Sequence, residues 1–330
     1  MENNTKTVKN LYSSMGFVYL FGAALCIGFD IAGGILLKLL PRSIMGNSNI
    51  AFILSYSVRF LISYPIFVSL IRMIPKTQAL PTLKPRFSKM LMFFAMAYGA
   101  GLIINFVTTI ITMTVGLIRG SEVPNVLETF TENVDWWPEL IVVVIVAPFF
   151  EELLFRKLLI DRAVKYGEGI ALALSGVMFG LFHMNFQQAF YACGIGMIFA
   201  YVYIRTGKIV YSYILHMSVN ALGVVALEIV KHVLSGDMLL ELSSGNPEAV
   251  LAFMSSKLYI VVGLLFYYAV TYGIAITGFV LLLVKGKKMI LRPCENQIPK
   301  GRKFGNVVLN PGMLCYIVFC LGMMVFKIFF

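Results

Sequence analysis

Long apolar stretches alternate with short polar or charged segments along the chain. About 20 mainly apolar residues span the roughly 30 Å of hydrocarbon in a bilayer. Backbone groups in hydrocarbon must pair within their own segment, so each stretch is predicted to be an α-helix. The predicted spans are 14–38, 49–71, 90–117, 138–160, 169–184, 187–204, 209–230, 258–284 and 311–328. The pattern therefore predicts an all-α fold, a polytopic bundle of about eight or nine transmembrane helices.

The fifth and sixth stretches leave two arrangements open. Both are short, and the polar connection between them, residues 184–188, is small. They fit either two tight crossings or one re-entrant pair that turns inside the protein. In either arrangement the chain returns to the side it left, so the orientation of the later spans is unaffected.

Composition excludes a soluble protein. The chain is 59% hydrophobic and 13% charged, with a mean hydropathy of +0.85, whereas soluble domains are about 25% charged. No long segment has the composition of a separate soluble module. We therefore expect residues 1–330 to form a single membrane domain.

Basic residues predict the orientation, because cytoplasmic loops carry an excess of Lys and Arg. With a cytoplasmic N-terminus, 20 of the 27 Lys and Arg residues lie on the cytoplasmic side. The other side receives six, and Arg59 lies within a span; the six are Lys38, Arg42, Arg119, Lys231, Lys257 and Lys327. The net charge of +11 then reflects topology and attraction to anionic lipid. Basic residues are spread over several loops, so no nucleic-acid partner is expected.

Two adjacent carboxylates and an arginine lie close together inside the fourth apolar stretch: Glu151, Glu152 and Arg156. Charges in hydrocarbon are costly, so such residues are candidates for a functional site. Glu152 and Arg156 are four residues apart, with the acid first, which favours a helical ion pair. Glu151 points about 100° away from Glu152 on a helix. It has no arginine four residues on, so it is the freer carboxylate and the candidate general base.

Two histidines and an asparagine lie in later apolar stretches. His183 ends the fifth, and His216 and Asn220 share one face of the seventh because they are four residues apart. On that face both side chains can donate hydrogen bonds to a developing oxyanion. Each also has a structural alternative: His183 as a satisfied core residue, and the other two as polar contacts between helices.

These motifs occur in a fixed order on successive apolar segments. They are Glu-Glu-x-x-x-Arg ending at Arg156, Phe-x-x-x-His ending at His183 and His-x-x-x-Asn ending at Asn220. Together they resemble the CAAX-protease and bacteriocin-processing (CPBP, or Abi) family of intramembrane proteases. The resemblance covers a catalytic core of about 138–225.

The resemblance implies an activity and a set of roles. Glu151 would activate a water with help from His183, while His216 and Asn220 would stabilise the oxyanion; Glu152 and Arg156 occupy the remaining motif positions. The family is described both as metalloproteases and as metal-free glutamate proteases. Glu151, His183 and His216 are the candidate ligands if zinc or another divalent metal is bound, but the His-x-x-x-His spacing of soluble zinc proteases is absent.

The interpretation is an intramembrane endopeptidase acting on a membrane-associated peptide or protein within the lipid bilayer. We expect it to be an integral protein of a bacterial plasma membrane. Two alternatives stay open: a non-catalytic bacteriocin immunity or membrane interaction protein, and a proton-coupled transporter that uses Glu151 and the histidines as a relay. The sequence shows neither an inverted repeat nor paired Gly- or Pro-broken spans, which are features of transporters.

The predicted orientation is testable with a native cysteine. Cys294 lies in the basic loop 285–310, which the Lys and Arg distribution assigns to the cytoplasm together with the N-terminus and the 72–89 loop. An impermeant thiol reagent should label Cys294 in inverted vesicles and leave it unlabelled in intact cells. Labelling from outside intact cells would contradict the orientation.

Overall fold

The computed structural model of the chain describes residues 2–41, 44, 46–77, 79–121, 134–233, 246–256, 258–294 and 296–329. Arg42 and Lys257, two of the cations assigned to the outer side, lie outside this range. All regular secondary structure within it is helical. The helices are α1 Glu2–Leu37, α2 Ser48–Arg72, α3 Phe87–Arg119, α4 at 136–163, α5 Glu168–Phe182, α6 Phe186–Thr206, α7 Ile209–Val233, α8 Pro247–Ser256, α9 Leu258–Lys285, α10 Lys303–Val307 and α11 Pro311–Phe329.

Each of the nine predicted spans corresponds to a helix. In the described part of the chain, seven helices are long and apolar enough to cross a membrane: α1, α2, α3, α6, α7, α9 and α11. The other two helices do not meet these criteria of length and composition: α5 has only 15 residues, and α4 carries seven charged residues. The prediction of an all-α polytopic bundle is confirmed, and the chain is an integral membrane protein.

The fifth and sixth stretches form a close helical hairpin. Three residues, 183–185, join α5 to α6, and the Asn185 side chain begins α6 by accepting a hydrogen bond from the Gln187 N–H. Gly180 allows the close approach, because a Cβ there would overlap the Ala189 carbonyl oxygen. Small residues of this kind are typical of tightly packed membrane helices.

The core of the bundle lies around α6. In α6, 67% of the apolar window is buried within the protein, against 17–28% for the other six long spans. Since lipid covers the exposed apolar faces of the outer helices, this enclosure places α6 and its neighbours α5 and α4 at the centre. The second half of α4 is correspondingly buried, with Leu154 and Phe155 fully inaccessible.

Helix α4 is continuous but irregular. Two π-helical segments, Leu140–Val146 and Leu153–Leu158, flank the α-helical segment Ala147–Glu152, which contains Pro148. Proline has no N–H to donate and disturbs the preceding turn, and single π turns are frequent at functional sites. The first two charged residues of the sequence motif, Glu151 and Glu152, thus end the short regular segment between two wide turns.

Candidate active site

The candidate residues come from three elements that meet at the buried centre. Helix α4 carries Glu151, Glu152 and Arg156; the C-terminal end of α5 carries His183; α7 carries His216 and Asn220. His216 and Asn220 both hydrogen bond to α4, as expected for residues on one face of a helix.

Glu152 is the central group of the site. Its Oε1 atom lies 3.1 Å from Arg156 Nη2 and 3.0 Å from His216 Nδ1. The Glu152 and Arg156 side chains are both fully buried. A carboxylate in such a place is stable only when opposite charge and hydrogen bonds replace water. Arg156 and His216 supply both to Glu152.

Arg156 is enclosed by two aromatic rings. The centre of its guanidinium lies 4.5 Å from the Phe179 ring centroid and 5.7 Å from that of Phe199. Within the described residues, the three guanidinium nitrogens have no hydrogen-bond partner that meets the usual geometry. The charge is therefore stabilised by the ion pair and by the π faces, an interaction that strengthens when the cation is desolvated.

His216 stands between the two adjacent glutamates. Its Nδ1 faces Glu152, and its Nε2 lies 3.5 Å from Glu151 Oε2. Glu152 is paired with Arg156 and so is an ionised acceptor, which makes Nδ1 the hydrogen-bond donor. The Glu152 contact thus fixes the ring orientation and leaves Nε2 as the nitrogen that faces Glu151.

Glu151 is the one accessible carboxylate of the pair. Its side chain is 13% exposed, whereas that of Glu152 is 0% exposed. Of the two adjacent carboxylates, Glu152 is shielded from solvent and Glu151 retains a small exposed fraction. The sequence also predicts Glu151 to be the freer of the two, because no arginine lies four residues after it.

His183 approaches the cluster through an aromatic contact. Its ring centroid lies 4.9 Å from that of Phe179, and Phe179 in turn lies 5.6 Å from the His216 ring; both contacts are edge-to-face. Among the described residues, no hydrogen bond joins His183 to Glu151. The structure thus places His183 on the same ring as His216, not in direct contact with the carboxylates.

Asn220 donates from Nδ2 to the Val143 carbonyl oxygen over 2.8 Å. Val143 lies in the π-helical segment Leu140–Val146, where backbone bonds run from residue i+5 to residue i. The residue five positions after Val143 is Pro148, which has no N–H. Asn220 therefore satisfies a carbonyl that lacks its backbone partner, and the second N–H of its amide is left for another acceptor.

A cavity of about 420 Å³ adjoins the cluster. Asn220 and Val143 line it, together with Asn185, which is two residues beyond His183. Glu151 and His216 are not among the lining residues. The cavity therefore reaches Asn220, which lies one helical turn along α7 from His216.

The candidate metal ligands do not assemble into a metal centre. A catalytic zinc takes three protein ligands and keeps a fourth position open. Within the described residues, no group of three His, Cys, Asp or Glu side chains is placed to hold a metal ion. In this arrangement Glu151, His183 and His216 do not fit the metal that the family resemblance leaves open.

Comparison with protein-family models gives a match in the middle of the chain. Residues 133–222 match the family model described as "Type II CAAX prenyl endopeptidase Rce1-like". The family resemblance is thereby confirmed. The match covers about a quarter of the chain and includes every motif residue from Glu151 to Asn220. No curated protein and no solved structure matches. The Rce1-like match supports an intramembrane protease as the general class of the protein.

Sequence reasoning missed several groups that build this site. The second aromatic face on Arg156 comes from Phe199, which belongs to no motif. The contact between Glu152 and His216 spans 64 residues, and the Val143 carbonyl is a backbone group. The one available signal was Pro148, because a proline inside an apolar helix leaves a carbonyl for another donor.

The buried pair predicts a large cost for removing Arg156. In Arg156→Ala, the Glu152 carboxylate would stay fully buried without the arginine that pairs with it. We expect a loss of about 3–5 kcal/mol, measured as a lower folded yield and a lower melting temperature in detergent.

Lys157→Ala is the matched control. It removes a partly exposed partner of Asp161 on the same helix, and such pairs contribute about 0–1 kcal/mol. An Arg156→Ala protein as stable as Lys157→Ala would contradict the central role of the buried pair.

Proposed function

We propose that this protein is an intramembrane endopeptidase that hydrolyses a peptide bond in a membrane-associated peptide or protein, with Glu151 as the general base. The observation that carries the proposal is the position of Glu151. It is the accessible carboxylate of a cluster whose other members, Glu152, Arg156 and His216, hold one another in place. A base fixed in this way is ready to act on a water in the adjoining space.

In the proposed reaction, Glu151 takes a proton from a water while the water oxygen attacks the scissile carbonyl carbon. The carbonyl π electrons move to oxygen and form a tetrahedral oxyanion. Glu151 then returns the proton to the amide nitrogen as the oxyanion re-forms the carbonyl and the C–N bond breaks, and the products are a carboxylic acid and an amine. One carboxyl group thus serves first as base and then as acid.

The oxyanion is proposed to be stabilised by His216 and Asn220. Because Nδ1 of His216 donates to Glu152, the ring offers the oxyanion a donor at Nε2 when that nitrogen carries a proton. Asn220 adds the amide N–H that Val143 does not use. Donors fixed in advance in a water-poor site stabilise developing charge strongly.

His183 is proposed to orient the attacking water. The His183 ring packs on Phe179, the same ring that contacts His216. His183 therefore lies beside the cluster at the end of α5, next to the cavity-lining Asn185. None of the proposed steps is routed through a metal, because the described donors do not form a three-ligand group.

Glu151→Gln should abolish proteolysis and preserve the fold. Glutamine keeps the size of the side chain but cannot accept the proton from water. We expect cleavage of a verified substrate in detergent to fall below detection, with an unchanged melting temperature.

Glu228→Gln is the matched control, since it removes a carboxylate from α7 outside the proposed catalytic group. Equal activity of Glu151→Gln and the unmodified protein would overturn the assignment. Metal analysis of both proteins adds a second criterion. A stoichiometric divalent metal that is lost in Glu151→Gln would contradict the proposed route.

Asn220→Ala should lower kcat by about 100- to 1000-fold with little change in KM, because an oxyanion donor acts in the transition state. The same substitution also frees the Val143 carbonyl, so a control must isolate that effect.

Tyr213→Phe is suited to the purpose. The Tyr213 hydroxyl donates to the Ile145 carbonyl over 3.0 Å in the same π-helical segment, and it lies outside the proposed oxyanion site. Equal losses of kcat in the two variants would show that Asn220 only supports the α4 backbone.

A further inference from the structure

The cavity beside the active site has a chemically distinctive lining. It lies among α3, α6, α7 and α9, with two residues contributed by α4. Amide groups and tyrosine rings form much of its wall, including Asn105, Gln188, Tyr191 and Tyr267. Such a wall offers hydrogen bonds and aromatic faces to a bound chain, and aromatic faces also attract cations.

Glu139 is the one formally charged residue that lines this cavity in the described part of the chain. Its residue exposure is only 1%. Its Oε1 lies 2.6 Å from Lys231 Nζ, while Oε2 has no hydrogen-bond partner among the described residues. A buried carboxylate oxygen without a partner is costly, so a ligand that donates to it is strongly favoured.

The charge near Glu139 is not balanced by Lys231. The same ammonium group also lies 2.7 Å from Glu228 Oε1, so two carboxylates share one cation. Lys231 is therefore shared, and it contacts only one oxygen of Glu139. In a low-dielectric setting the attraction of the Glu139 carboxylate for a second positive charge at its other oxygen is strong.

We propose that the cavity binds the substrate through a basic residue, Lys or Arg, whose positive charge pairs with Glu139. The inference rests on the proposed protease function and adds a substrate class to it: a membrane-associated peptide with a cationic side chain near the cleaved bond. The amides and tyrosines of the wall would bind the peptide groups around that side chain.

The position of Glu139 also predicts how far the basic residue of the substrate lies from the cleaved bond. Glu139 and Glu151 lie on the same helix, 12 residues apart in the sequence, which corresponds to roughly 18 Å of helical rise. An extended peptide advances about 3.3 Å per residue. The basic residue should therefore lie about five residues from the cleaved bond.

Binding to an inactive protein tests the charge preference without requiring turnover. The probes are fluorescein-labelled peptides of alanine, leucine and serine that differ in one residue: lysine, glutamine or glutamate. With Glu151→Gln protein in detergent, fluorescence anisotropy should give about tenfold tighter binding for the lysine peptide than for the glutamine peptide. The glutamate peptide should bind most weakly.

A second substitution assigns the preference to Glu139. In Glu151→Gln/Glu139→Gln protein, the lysine and glutamine peptides should bind equally. The matched control is Glu151→Gln/Glu228→Gln, which also removes a carboxylate from Lys231 but at a residue that does not line the cavity; there the lysine preference should persist. Equal binding of the peptides to the Glu151→Gln protein, or a lysine preference that survives Glu139→Gln, would overturn the proposal.

Lys231→Gln provides a further test of the proposal if the Glu139→Gln protein does not fold. Removing the ammonium group frees both oxygens of Glu139, so the preference for lysine should increase. A smaller or unchanged preference would contradict the pairing.

For active protein, moving the lysine along the peptide should move the cleavage site with it, which mass spectrometry detects. A protein that binds by charge but never cleaves would disprove the protease function and retain the cation site.

Discussion

The fully buried ion pair of Glu152 and Arg156 is the interaction on which the rest of the site depends. Both charges lie out of contact with water, so each is tolerable only because the other is present. The rings of Phe179 and Phe199, from the two helices of the hairpin, enclose the arginine. The pair therefore joins α4 to α5 and α6 at the centre of the bundle.

The same ion pair also determines how the neighbouring His216 side chain is oriented. Glu152 remains ionised beside Arg156 and fixes one nitrogen of His216, so the other nitrogen faces Glu151. Of the two adjacent carboxylates, the inner one is fully buried and the outer one is 13% exposed. A single dipeptide thus provides a buried ion-pair partner and the proposed general base, because neighbouring residues on a helix point about 100° apart.

Much of this arrangement was predictable from local rules. The length of apolar stretches predicted the helices, and the i, i+4 spacing predicted both the proximity of Glu152 to Arg156 and the shared face of His216 and Asn220. Contacts that depend on packing between distant helices were not predictable. The Glu152–His216 contact and the stacking of Phe199 on Arg156 require the mutual placement of α4, α6 and α7, which no local pattern specifies.

The wide turns of α4 have a consequence for how the helix tolerates changes in length. A π turn contains one residue more than an α turn, because its backbone hydrogen bonds join residues five apart and not four apart. Loss of one residue within Leu140–Val146 would be absorbed by conversion to regular α-helix, and the residues on both sides would keep their orientation. The same deletion in a regular α-helical segment would instead rotate one side by about 100° about the helix axis. The wide turn therefore lets α4 lose a residue while Glu139 on the cavity wall and Glu151 in the charged cluster both stay in register.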